Sequence, residues 1–238
     1  MKGLFLFNKP VGISSAGFLN KLKSYFASSF VKTLADKKAS QDQSSKRLKI
    51  GHGGTLDPFA EGLLVVGVGR EYTKQLHGIL KNKTKTYKAE IILGASSDTY
   101  DITGKIFDAP FIKTPIEKEI ILAVEKIKSK KTQIPPIFSA IKIKGVPAYK
   151  LAREGKEVRV ESKEALLINY EIFSIKKSED KIILDIELEV SAGFYIRSFA
   201  HDLGVELGSD GYVSKLIRSK IGDFDIKDAL TLQAIGLE

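Results

Sequence analysis

The chain has 238 residues, 43% hydrophobic and 28% charged, with Lys and Arg outnumbering Asp and Glu by 38 to 29 and no Cys. That length suffices for a domain with a sizeable core, and the absence of Cys excludes disulfides, thiolate nucleophiles and Cys-based zinc sites. The net charge of +9 suits a polyanionic partner, because each Lys or Arg set on a phosphate releases condensed counterions.

Gly3–Phe7 reads as a strand, too short an apolar run for a signal-peptide core, and no segment approaches a membrane span. Cytoplasmic residence is expected. After the loop Asn8-Lys9-Pro10-Val11-Gly12, Ser14 or Ser15 caps a helix with the apolar stripe Phe18, Leu19, Leu22 and Phe26. Residues 27–49 then turn Ser-, Lys- and Gln-rich without a clean period, six Lys or Arg standing against two Asp. They read as a solvated, mobile insertion, or more sharply as a basic arm toward RNA. The loop GHGGTLDPFAEG spans 51–62, and the apolar strand Leu63–Val68 follows it. A helix is expected around 71–81, with Tyr72, Leu76, Ile79 and Leu80 on one face. Tyr87, Ala89, Ile91 and Leu93 alternate as in a half-buried strand.

Thr114-Pro115-Ile116-Glu117 predicts a helix start with an N-cap, a first-turn proline and a capping-box Glu. The core face of that helix would be Ile116, Ile120, Ile121, Val124 and Ile127. From Phe138 to Val190 the pattern is mostly strand, clearest at Ile182, Leu184, Ile186, Leu188 and Val190. A last helix runs from about Tyr195 to Leu207 with Ile196, Phe199 and Leu203 inward. Strands and helices alternate without strict βαβ repetition, which points to the α+β class.

Chemistry concentrates at 51–62. Gly51, Gly53 and Gly54 allow unusual dihedrals and close approach to a ligand, and Pro58 restrains the backbone of Asp57. On these residues alone Asp57 reads as a catalytic carboxylate or as a turn Asp bonded to its own backbone, the commoner role of an Asp-Pro pair. His52-Gly53-Gly54 has no nucleophile elbow to accompany it. Gly67-Val68-Gly69-Arg70 lacks the third glycine of a dinucleotide loop and the lysine of a P-loop. Asp98-Thr99-Tyr100-Asp101 reads as a polar turn, with a metal site the less favoured reading. His52, His77 and His201 show no metal-ligand spacing, so no metal is expected.

GHGGTLDPFAEGLL resembles the signature of TruB-type pseudouridine synthases, commonly G-H-S/T-G-x-L-D-P-x-A-x-G-x-L. Five further blocks follow the family's order. They are NKPVGISS at 8–15, KTYK at 85–88, SDTYD at 97–101, QIPPIFSA at 133–140 and GFYIRS at 193–198. Asn8 stands where the family usually has Asp, Gly53 where it has Ser or Thr, and Phe194 where it has Thr. The insertion at 27–49 is longer than usual, and the chain stops where the catalytic domain would end, so a form without the C-terminal PUA domain is expected.

The resemblance implies a single catalytic domain over residues 1–238 with the pseudouridine synthase fold, an extended mixed or antiparallel sheet flanked by helices. It implies isomerisation of uridine to pseudouridine in the T loop of tRNA, at position 55 in tRNA numbering. A C–N glycosidic bond breaks, the uracil turns over, and a C–C bond forms at the same sugar carbon; no redox change occurs and no cofactor is needed. Asp57 is the implied catalytic carboxylate, attacking C1′ or taking a ribose proton. Arg197 is its implied guanidinium partner, and such a neighbour lowers a carboxyl pKa by ~1–3 units; by position alone it is an exposed first-turn Arg.

The target base must leave its stack, at a cost of a few kcal/mol. Tyr87 is the implied stacking ring, and stacking returns roughly 1–3 kcal/mol per base; by pattern alone Tyr87 is a core aromatic. By the same resemblance His52 contacts the RNA, Tyr195 and Leu216 line the nucleotide pocket, and Lys9 supports the active-site loop. The T stem-loop of tRNA is the expected partner of a monomeric protein. A non-catalytic tRNA-binding or folding module on the same scaffold is the alternative, while a small-molecule glycosidase would need a second paired carboxylate.

Overall fold

The computed structural model describes residues 2–35, 49–143, 145–156, 158–178 and 180–237. Two compact units divide the chain, Met1–Lys83 with Ile217–Glu238, and Thr84–Leu216. Among the described residues no helix is long and apolar enough to cross a membrane.

The first unit opens with β1 (Gly3–Lys9), α1 (Ser15–Ala35), β2 (Ile50–Gly53), β3 (Glu61–Val68) and α2 (Arg70–Leu80). β3 is its central strand, antiparallel to β1 from Gly3↔Val68 to Lys9↔Gly62 and antiparallel to β2 from Ile50↔Val68 to Gly53↔Val65. A strand covered on both faces needs a continuous apolar run rather than alternation, and Leu63–Val66 is one. Leu64, Val66 and Val68 pack with Phe7, Phe18, Leu22 and Phe26, which places α1 on one face. Leu63 and Val65 pack with Leu76 of α2 and with Ile221. Ser14 is the cap of α1, its Oγ accepting the Gly17 N–H at 3.0 Å. The helix runs on to Ala35, past the predicted end of its stripe, because no Gly or Pro interrupts residues 18–50. The remainder of the predicted insertion, apart from Lys49, lies outside the described residues.

The second unit contains β4 (Lys85–Leu93), β5 (Ala95–Ser97), β6 (Ile106–Asp108), α3 (Glu117–Lys128) and β7 (Thr132–Gln133). It continues with β8 (Lys142–Ile143), β9 (Val146–Pro147), α4 (Ala148–Arg153), β10 (Lys163–Glu164), β11 (Leu167–Ser178), β12 (Lys181–Val190) and α5 (Ile196–Glu206). β12 lies antiparallel between β4 and β11, and its five alternating apolar side chains are all buried, as are Tyr87, Ala89, Ile91 and Leu93 of β4. α5 packs on β4, and α3 packs on β11 and α5.

Two expectations change here. α3 is capped at Ile116, whose N–H donates to the Glu119 carboxylate at 2.8 Å, so the helix starts later than the Thr-Pro signal predicts. Its buried face is Ile120, Ala123, Val124 and Ile127, leaving Ile116 and Ile121 exposed. Between Phe138 and Val190 the long strands are confined to 167–190, since Ala148–Arg153 carries good helix formers and coils after Pro147.

Strand β13 (Gly211–Ile221) contributes residues to both units. Within the second it neighbours β4. Within the first it runs parallel to β3 at Ile217↔Glu61 and Arg218↔Gly62, then turns back as β14 (Phe224–Asp225). The approach at Gly62 leaves no room for a side chain: its φ is +114°, and a Cβ there would lie 2.4 Å from the Arg218 carbonyl oxygen. Gly62→Ala should therefore lower the unfolding free energy by roughly 3 kcal/mol, combining positive-φ strain with backbone displacement. A urea midpoint equal to that of the parent protein would refute this.

Candidate active site

Asp57 sits in the connection between β2 and β3, and hydrogen bonds from three directions immobilise that turn. The Leu56 N–H donates to Ser15 Oγ at 2.8 Å while Ser15 Oγ–H donates back to the Leu56 carbonyl at 2.9 Å. The Gly12 N–H reaches the Pro58 carbonyl at 2.8 Å, and the Ala60 N–H closes onto the Asp57 carbonyl at 3.2 Å. From β13, Arg218 Nη2 donates to the Gly54 carbonyl at 2.6 Å and Nε to the Leu63 carbonyl at 2.9 Å. Gly54 holds φ +72°, and a Cβ on it would meet the Arg218 guanidinium at 3.4 Å. Leu56, Phe59 and Ala60 are buried beneath the turn, while Asp57 is half-buried. A turn so held fixes the backbone from which the Asp57 carboxylate projects.

Three basic side chains, Lys9, His52 and Arg218, shape the electrostatics of this turn. Lys9 is fully buried at the end of β1, its Nζ donating to the Pro10 and Ile13 carbonyls at 2.8 Å each, which ties down the loop before α1. Burial drags its pKa down to about 8; the carboxylates of Asp57 and Glu61 oppose that fall and the Arg218 guanidinium adds to it. His52 in β2 is lowered from its ordinary value, first by burial and then by Arg218, which favours a neutral imidazole. Its Nδ1 is buried with no hydrogen-bond partner among the described residues.

The second unit builds a seat for Arg197, in the first turn of α5. The side chain is buried, with Nη1 donating to the Thr99 carbonyl and Nη2 to the Phe138 carbonyl, both at 3.0 Å. Nη1 also lies 3.4 Å from Asp101 Oδ2, an ion pair with both side chains at 6% exposure or less. Asp101 is itself fixed, because its Oδ1 accepts Thr99 Oγ1–H at 2.9 Å, Thr103 N–H at 2.9 Å and Thr103 Oγ1–H at 2.5 Å. Gln133 secures the start of the helix with a two-way bond to the Tyr195 backbone, at 3.0 and 2.8 Å.

Asp57, Lys9 and His52 thus belong to the first unit, and Arg197, Tyr87, Tyr195 and Leu216 to the second. Arg197 is not the exposed first-turn residue that position alone suggests. Tyr87 and Leu216 are buried on neighbouring strands, and Tyr195 is half-buried. Asp98–Asp101 forms a turn whose carboxylates serve backbone and hydroxyl donors, and among the described residues no group of three or more metal-ligating side chains gathers. From sequence, Ser15 stands only as a candidate cap and Asp101 and Gln133 only as members of motif blocks, without the contacts they make, and Arg218 is not singled out. The signal for Arg218 is its place directly after the apolar pair Leu216-Ile217.

Residues 39–196 match the model of the TruB family pseudouridylate synthase (N terminal domain). A tRNA pseudouridine synthase B of Geobacter sulfurreducens is 37% identical over 236 residues, 99% of this chain and 69% of that protein. One from Mycobacteroides abscessus is 33% identical over 234 residues, 98% of this chain and 72% of that protein. Among solved structures, a chain of a Cbf5-Nop10-Gar1 complex aligns with TM-score 0.61 at 23% identity, covering 97% of this chain and 52% of that one. A chain of an H/ACA RNP bound to a substrate RNA containing 2′-deoxyuridine aligns at 0.57 and 22%, covering 97% and 51%. This chain spans about half the length of those solved chains, and at such identity the likeness is one of fold.

The depressed pKa of Lys9 has a consequence for stability. A lysine that holds its proton less tightly when folded makes the unfolded chain the better proton binder between about pH 8 and 10.5, so stability rises with pH across that window. Relative to Lys9→Met, the protein should gain up to about 3 kcal/mol of unfolding free energy between those limits. A pH-independent difference in urea unfolding would show that the ammonium is not desolvated.

Proposed function

The chain belongs to the TruB family of pseudouridylate synthases, and on that premise we propose that it converts uridine to pseudouridine in the T loop of tRNA, with Asp57 acting on the ribose. The observation that carries this reading is the immobilised Asp57 turn, fixed through Leu56, Pro58 and Gly54 before any substrate arrives. The reaction balances within the nucleotide: the C1′–N1 bond breaks, a C1′–C5 bond forms, the proton on C5 is lost, and N1 gains one. Asp57 attacks C1′ or removes a ribose proton; either role requires the ionised carboxylate, and Arg197 is the guanidinium the family motif pairs with it. An arginine already held by Thr99, Phe138 and Asp101 pays little entropy in that task.

In this reading Tyr87 stacks on the flipped uracil, Tyr195 and Leu216 line its pocket, and His52 meets the RNA as a neutral imidazole. Lys9 supports the loop rather than the reacting atoms, since two of its three N–H donors go to backbone carbonyls of that loop. The net charge of +9 supplies the long-range attraction to tRNA.

Asp57→Asn removes a charge with almost no change of shape. Pseudouridine formation on unmodified tRNA, read by nucleoside analysis, should fall by roughly 10⁴-fold or more while tRNA affinity stays within a few-fold. Substantial turnover by the variant would remove Asp57 from the chemistry, and a parent protein that makes no pseudouridine would favour a binding or folding module instead.

A further inference from the structure

Four residues beyond Arg197 on α5, His201 makes two contacts outside its own helix. Its Nδ1–H donates to Asp210 Oδ1 at 2.7 Å, and its ring lies flat against Tyr100, with centroids 4.1 Å apart and planes inclined by 6°. Asp210 is anchored too, its Oδ1 accepting the Gly211 N–H at 2.7 Å where β13 begins.

Tyr100 occupies an unusual place. It is a non-glycine residue at φ +59°, a conformation that persists only where the surroundings over-determine it. Its N–H donates to the Ser97 carbonyl at 3.0 Å, and its carbonyl accepts the Val213 N–H at 3.1 Å. The residues on either side of it are the ones that hold Arg197: the Thr99 carbonyl accepts Nη1, and the Asp101 carboxylate pairs with the guanidinium. A grip on the Tyr100 ring is therefore a grip on the turn that seats Arg197.

We propose that His201 is a positioning residue for the isomerisation, holding Arg197 in place through its stack on Tyr100 and its bond to Asp210. The inference rests on the function proposed above for Arg197. The groups facing the imidazole are Asp210, Asp202 and the Tyr100 ring, with Lys130 acting on Asp202. Asp210 raises the imidazole pKa above its ordinary value, which strengthens the pair. The Nδ1–H that binds Asp210 is present in both the neutral and the protonated ring, so the clamp does not require titration.

The test compares steady-state kinetics of the full chain on unmodified tRNA. His201→Ala should lower kcat roughly 10- to 100-fold, as expected for a misplaced charge partner, with KM within about twofold of the parent. His201→Phe, which keeps a flat ring for Tyr100, should recover most of that kcat. Tyr100→Gly removes the ring while tolerating the positive φ, so it probes the stack even if His201→Ala folds poorly. It should match His201→Ala, and the double variant should be no worse than either single one. Parent-like kcat in Tyr100→Gly, or His201→Phe as impaired as His201→Ala, would overturn the proposal. Inactivity of the parent on tRNA would instead overturn the proposed function, and the two failures are distinguished by that control.

Discussion

Beneath the Asp57 turn lies a guanidinium sealed from solvent. Arg218 is fully buried in β13, yet it donates to the carbonyls of Gly54 and Leu63 rather than ending at the surface. Withdrawing a cation from water is costly unless its donors are satisfied in good geometry, so the chain must present those carbonyls at fixed places. That requirement explains several residues at once. Gly54 takes a positive φ and leaves the guanidinium room, Gly62 lets β13 approach β3, and the Gly-rich loop bends where the cation demands. Its charge is felt beyond those carbonyls: after burial, it adds to the lowering of the His52 and Lys9 pKa values.

Arg197 is held by a different device. It projects from a helix instead of a strand, and its seat is a short polar turn whose organising group is one carboxylate. Asp101 receives three hydroxyl or amide donors on Oδ1 and turns Oδ2 toward the guanidinium. Both arginines are buried and both are oriented by backbone carbonyls, which lock a planar fork more firmly than a flexible side chain would. Groups held this way are preorganised, with little freedom left to lose when a further partner arrives.

Much of the architecture was legible because burial imposes a period. The alternation in β4 and β12 and the apolar run of β3 each name the faces they cover. Boundaries were less legible. The Thr-Pro signal before α3 competes with Glu119, and the nearer carboxylate wins by closing directly on the Ile116 N–H. Two adjacent serines, indistinguishable by type, divide the labour at the start of α1: Ser14 caps the helix, and Ser15 faces the other way and clamps Leu56.

The candidate site divides along the same line. Local chemistry was readable in the order of residues: glycines and a proline around Asp57 announce a constrained turn, and six motif blocks in order announce a family, because both depend only on neighbours along the chain. Whether Arg197 is exposed or buried, that Asp101 and not a solvent shell receives it, and that Arg218 reaches the Asp57 turn, were decided by the fold. Those contacts join residues separated by 96 to 164 positions, and no local preference selects a partner at that distance. A buried cation accepts whichever carbonyls and carboxylates the packed strands and helices bring within reach, and that is a property of the tertiary structure.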